Sequence, residues 1–285
     1  MRNFSWTGIL SGGGKTVRFF NLSIIVALLA CVNPGMSASA QSKNKAGAKD
    51  DTQADEIIKK FTAKETEFYE AWKQYTYTQN AAVKVLSVNG TPVKNESRSI
   101  ISEIVFNDDG EREVKIVRDH GQIRSVDFTE DDMEVINNIN PFALTADELP
   151  LYKLKYQGKE KVDELDCFVF SVAPKSQKGR RKYFEGKIWV DDRDYQVVRT
   201  VGKPVPQTSE MQFPEFETLR QFIDNKYWFP VWTHADSVLR FGGLGSGREF
   251  GRTQDVRVEE TITYENYKKF GTSTKIEFGD EKVDK

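Results

Sequence analysis

Apolar residues along this chain first recur with a helical spacing and then switch to alternation. Between residues 55 and 72, Ile57, Ile58, Phe61, Phe68, Tyr69 and Trp72 fall on one face of a 3.6-residue repeat. Lys59, Lys60, Lys64, Glu67 and Lys73 fall on the other. Thr52, with Asp55 three residues on, supplies an N-cap signal. The pattern predicts an amphipathic helix, which needs an apolar surface to lie on.

From Tyr75 the period is two. "YTYT" alternates, and Val83 and Val85 lead to Asn89-Gly90, a strong hairpin signal. Further strands are predicted over 97–106, 113–118 and 122–128, with turns at Asp108-Asp109-Gly110 and Asp119-His120-Gly121. A helix over 130–138 interrupts them, opened by Thr129 and an acidic first turn and ended by Pro141-Phe142. Strands then resume over 151–157, 165–173, 182–191, 195–203, 215–223, 227–241, 253–268 and 272–278. Half of the positions in 242–251 are glycine, which reads as a mobile loop.

Eleven or twelve strands joined by hairpins, with no βαβ alternation, predict a mainly β (α+β) fold built on one antiparallel sheet. A sheet of about 11 strands curls. The expected architecture is therefore a half-barrel whose concave face is covered by the helices.

Strands solvated on one face alternate apolar with polar residues, and several here do not. "CFVFSV" (167–172), "GKIWVD" (186–191) and "NKYWFPVW" (225–232) are apolar on both faces. In the last, Trp228 and Trp232 share one face and Tyr227, Phe229 and Val231 the other. Such strands are covered on both sides or line a cavity. The candidate ligand-binding residues of a hydrophobic cavity are Trp189, Trp228, Trp232, Phe168, Phe170, Tyr75 and Tyr77.

The N-terminus carries a different signal. Residues 1–40 hold three cations and no acid, then an apolar run from Phe19 to Val32, the breaker Pro34-Gly35, and Ser37-Ala38-Ser39-Ala40. This is the form of an export signal cleaved after Ala40. Leu28-Leu29-Ala30-Cys31 offers an alternative, in which the chain is lipid-anchored through Cys31. The polar stretch 41–54 reads as a disordered tether, and 55–285 as a single domain.

Candidate chemistry adds little. "SGGGKT" (11–16) resembles a phosphate loop, but Ile9 stands where the motif needs glycine, and no strand or helix flanks it. Three of the 41 cations precede residue 41, leaving 38 against 43 acids, without the basic excess a nucleic-acid binder shows. His120 and His234 are far apart, with no metal-ligand spacing. Cys167 sits in an apolar run and reads as a small buried side chain. No nucleophile elbow occurs. The expectation is a non-enzymatic protein without metal or cofactor.

Three segments carry a family likeness: "NPFALTADELPLYKLKYQGKEKVDELDCFVFSVAPK", "YFEGKIWVDDRDYQVVRT" and "FPEFETLRQFIDNKYWFPVWT". Within them, Tyr156, Gly158, Glu160, Val162 and Asp163, and the strand Ile188 to Asp191, are the most telling. They resemble the periplasmic outer-membrane lipoprotein-sorting proteins (LolA/LolB-like, RseB-like half-barrels) of acidobacterial type. The resemblance implies a curved antiparallel sheet with helices plugging its concave side. It also implies a periplasmic protein that carries or sorts lipoproteins by their acyl chains, or binds another lipid. The alternative it implies is a sensor or interaction module of the same fold, with an envelope membrane protein as partner.

Overall fold

The computed structural model describes residues 43–106, 112–126, 129–208, 211–241 and 254–270. The expected export segment, the loop 242–251 and the expected strand 272–278 lie outside the described residues. Ten strands are present among the described residues: β1 (Tyr75–Leu86), β2 (Pro92–Phe106), β3 (Arg112–Gln122), β4 (Tyr152–Val162), β5 (Leu165–Pro174), β6 (Tyr183–Asp191), β7 (Val197–Val205), β8 (Phe216–Ile223), β9 (Tyr227–Phe241) and β10 (Gln254–Lys269). They form one sheet in the order β3-β2-β1-β10-β9-β8-β7-β6-β5-β4, antiparallel at every step and open at β3 and β4.

One predicted turn is not a turn. The strands expected over 113–118 and 122–128 are a single strand as far as Gln122, running through Asp119-His120-Gly121. Gly121 does have a positive φ of 87°, the conformation that makes Gly a turn marker. Here it serves a close approach, since a Cβ would sit 2.2 Å from the Ser97 carbonyl of β2.

The helix α1 (Lys43–Trp72) starts earlier than its apolar stripe, inside the stretch read from composition as a tether. Ala and Lys in that stretch are good helix formers, so helix extends there without an apolar face. Ile57, Phe61, Phe68 and Trp72 are buried against the sheet. Phe61 meets Phe170 of β5 at 5.5 Å between ring centroids, Phe68 meets Phe229 of β9 at 5.6 Å, and Trp72 stacks on Tyr77 of β1 at 5.9 Å. From β5 to β1 is six inter-strand steps, about 29 Å along the sheet at about 4.8 Å each. From Phe61 to Trp72 the helix rises only about 16 Å. The sheet closes this difference by curling around α1.

The segment between β3 and β4 makes the one connection that is not a hairpin or an adjacent step: it carries the chain from one sheet edge to the other. It crosses on the same face as α1. Thr129 caps α2 (Glu130–Glu134), Asp132 returning a bond to the Thr129 backbone. Residues Val135–Ile139 then widen into a π-helical turn, so the helix expected over 130–138 is two unlike pieces. Asn140, Phe142 and Leu144 follow, all buried, and Leu149–Leu151 forms a 3-10 turn that delivers the chain to β4.

Candidate functional site: the covered face of the sheet

The face under α1 and the crossing segment is where burial, aromatic surface and ionisable groups coincide. Two apolar clusters occupy it. One joins Ile57 and Phe61 of α1 with Phe142 and Leu144 of the crossing segment and with Phe168, Phe170, Phe184 and Ile188 of the sheet. The other joins Phe68 and Trp72 with Ile136, Tyr75, Tyr77, Phe229 and Tyr264.

Polar groups are set between them. Glu65 lies on the apolar stripe of α1, four residues from Phe61 and three from Phe68, and is fully buried. Arg220 of β8 meets it with two parallel bonds, Nη1–Oε1 at 2.9 Å and Nη2–Oε2 at 3.0 Å. The guanidinium also donates to the Phe142 carbonyl of the crossing segment and lies 4.5 Å from the Phe68 ring centre. One arginine thus touches the sheet's two covers at once. Burial pushes the Glu65 carboxyl above its ordinary range, against the pull of Arg220.

A second network ties the crossing segment to β10, β8 and β1. Asn140 Nδ2 donates to Glu260 Oε1 at 3.0 Å, and the Asn140 carbonyl accepts from Thr218 Oγ1 at 2.7 Å. Thr218, Thr233 and Tyr264 hydroxyls continue the chain at 2.8 and 3.2 Å. Gln79 Nε2 donates to Asn137 Oδ1 at 3.0 Å. Burial, with Asp132 of α2 nearby, raises Glu260 to about 7, and burial raises Asp132 as well. The covers themselves are joined where the Ala146 N–H donates to Thr66 Oγ1 at 3.0 Å.

The seven aromatics singled out in the sequence divide between the two faces. Tyr75, Tyr77, Phe168 and Phe170 are on the covered face, the tyrosines beneath the C-terminal end of α1 and the phenylalanines beneath Phe61. Trp189 and Trp228 belong to a separate cluster with Cys167, Val169 and Val198 on the opposite face. Their indoles donate to Glu160 at 2.9 Å and to Asp194 at 3.1 Å. Trp232 is opposite Leu219 on that outer side, half-buried and stacked on His234 at 5.3 Å. Pairing parity puts it there, because its neighbour Thr233 points inward to Thr218.

Sequence reasoning missed Glu65 and Arg220. Glu65 had a signal, a carboxylate at a stripe position of an otherwise apolar helix face. Arg220 lies in "FETLRQFI", where nothing marks it.

The site's buried carboxylates Glu65 and Glu260 are engaged by an arginine and an amide, and the Tyr75 hydroxyl donates to Asp224 Oδ2 at 2.8 Å. Cys167 lies on the other face, and burial pushes its thiol up to about 12, so it stays protonated. Among the described residues no three of His, Cys, Asp and Glu are grouped to hold a metal ion.

No family model and no curated protein matches the sequence. Among solved structures, the chain is similar to a DUF1329 family protein from Desulfovibrio piger, at 13% identity and TM-score 0.40, covering 75% of this chain and 92% of that one. It is similar to an outer membrane lipoprotein-sorting protein domain from Vibrio parahaemolyticus, at 12% identity and TM-score 0.36, covering 77% and 95%. It is also similar to a LolA superfamily protein from Nitrosomonas europaea, at 11% identity and TM-score 0.32, covering 71% and 90%.

Proposed function

We propose that the covered face of the sheet is a binding surface for acyl chains, and that the protein is an exported, non-enzymatic carrier of lipoproteins or of another lipid. The observation that carries this reading is how the covers are held. α1 and the crossing segment rest on aromatic surface and are fastened by a few polar contacts, centred on Arg220 and Asn140. Lifting them uncovers Tyr75, Tyr77, Phe168 and Phe170 without breaking a strand pairing. Burying an acyl chain is worth about 0.8 kcal/mol per CH₂, so one chain of ~15 carbons brings on the order of 12 kcal/mol. An aromatic face that exchanges its own covers for cargo is suited to that scale.

Mass spectrometry of lipid extracted from the purified protein, with titration of a fluorescent fatty acid, tests the proposal. The expected result is co-purified acylated species and saturable probe binding. Protein that yields no lipid and leaves the probe unquenched at saturation sinks it. In this reading the chain works in the periplasm as a mature form beginning at Gln41, and intact mass checks that. A mass fitting a diacylated Cys31 replaces the free carrier with an anchored one.

One observation favours the second reading, an interaction module. Among the described residues β3 is an open edge with Val114, Ile116 and Val117 exposed, the arrangement that accepts a strand from a partner. The partner class is an envelope membrane protein. Pull-down from detergent-solubilised envelopes, repeated with Ile116→Lys, tests it: a partner captured equally by both proteins removes the edge from consideration.

A further inference from the structure

The chain carries a formal net charge of −2, yet one corner of it is basic. On the outer face of the sheet, Lys155 of β4 stands opposite Ser171 of β5, and Ser171 opposite Lys187 of β6. In the next row Lys153 stands opposite Ala173, and Lys203 of β7 opposite Glu185 of β6. All four lysines are exposed, and none has an ion pair among the described residues. Glu185, the carboxylate in these rows, accepts from Gln177 Nε2 at 3.2 Å. Beyond it, Arg199 and Glu217 neutralise each other at 2.6 Å. The loop joining β5 to β6 leaves from the same end and adds exposed Lys175, Lys178 and Arg180.

Lysines on an open edge strand discourage edge-to-edge pairing, which accounts for Lys153 and Lys155. It does not account for Lys187 and Lys203, whose strands are paired on both sides. Apart from Glu185, the side chains between the lysines are short: Ser171, Ala173 and Val201. A protein–protein interface concentrates its energy in aromatic or arginine anchors; no such anchor stands between these lysines, and Trp189, two residues along β6 from Lys187, is buried with Arg199 over its ring. Long flexible cations on a plane of short side chains suit a diffuse anionic plane, to which each adds attraction without a pocket.

We propose that this outer face, with Lys153, Lys155, Lys187 and Lys203 at its centre, docks the protein on the anionic headgroups of a membrane. The covered face then points away from the bilayer plane and its covers stay free to move. Docking does not require cargo, so it can hold or fail independently of the acyl-chain proposal.

The test is sedimentation of the mature protein with vesicles of equal parts phosphatidylglycerol and phosphatidylcholine, against vesicles of phosphatidylcholine alone. Binding is expected to the anionic vesicles only, and to vanish at about 1 M salt, where the Debye length is about 3 Å. Lys153→Gln, Lys155→Gln, Lys187→Gln and Lys203→Gln together should lower the partition coefficient about 600-fold, at roughly fivefold per lysine. A control with the same charge change, Lys59→Gln, Lys73→Gln, Lys94→Gln and Lys268→Gln, should bind like the parent. Matching melting curves for the two variants establish that both are folded. The proposal is overturned by equal binding to both vesicle types, by no binding to either, or by equal losses in the two variants.

Discussion

Glu65 of α1 and Arg220 of β8, 155 positions apart, face each other through a two-pronged ion pair with both side chains at or below 1% exposure. The pair joins helix to sheet in the middle of the aromatic clusters, and Arg220 reaches the crossing segment as well. Taking either charge away leaves the other buried and unmatched.

The first expectation follows from that. Glu65→Gln or Arg220→Met should each lower stability by about 3–5 kcal/mol. Glu65→Leu with Arg220→Met removes both charges and should cost much less than the two single changes combined. Urea unfolding of the four proteins measures it, and additive losses would show that the two residues act separately.

The second concerns pH. Glu260 holds its proton more tightly in the folded state, to about 7 against an ordinary 4.5, because it is buried and Asp132 is near. A raised carboxyl contributes stability that is fully present below the unfolded value and is lost as pH rises toward the folded one. The loss across roughly pH 4.5 to 7 is about 3 kcal/mol. Glu260→Gln keeps the bond to Asn140 and cannot ionise, so it should flatten this part of the stability profile and be the more stable protein at pH 8. Melting temperatures of both proteins from pH 4.5 to pH 8 decide it. Parallel profiles refute the assignment to Glu260.

The third separates the two faces. Trp228→Gln with Trp232→Gln should lower the melting temperature and leave fatty-acid probe affinity unchanged, because both indoles lie away from the covers. Tyr77→Ser, under Trp72, should weaken the probe. A probe lost only in the tryptophan variant would move the binding surface to the outer face.

The fourth is local. Gly121→Ala should destabilise by about 1–3 kcal/mol, combining a left-handed φ with a Cβ driven into the Ser97 carbonyl. Chemical denaturation measures it. A neutral result would mean that β3 is free to shift at its end.

The strands were legible because their alternation and turns are local. Asn89-Gly90 marks its hairpin and Gly90 takes the expected positive φ of 83°. Asp119-His120-Gly121 misled because a glycine needed for close strand approach looks, in sequence, like one needed for a turn. The strand order was not legible: pairing of β1 with β10 is set by which faces bury together, across most of the chain. The period of two correctly grouped Trp228 with Trp232, but a period cannot say which of two apolar faces meets the helix. Here the decision fell to Thr233, a polar residue whose hydroxyl completes the inner network. Glu65 stood in plain view as the polar interruption of an apolar stripe, whereas its partner had no local mark.

The seam between β1 and β10 also dictates an order of events. Thr76 Oγ1 donates to the Lys268 carbonyl, 192 positions later, so the first of the described strands is joined by the last of them. Until β10 arrives, the β1–β3 hairpins and the β4–β9 meander are two half-sheets with their inner edges bare, linked by the crossing segment and by α1. Contacts this distant fold slowly. Because synthesis runs from the N-terminus, the margin of β1 stays bare until β10 has emerged. Closing the sheet waits for that late pairing, and a holding chaperone has the bare margin of β1 to grip.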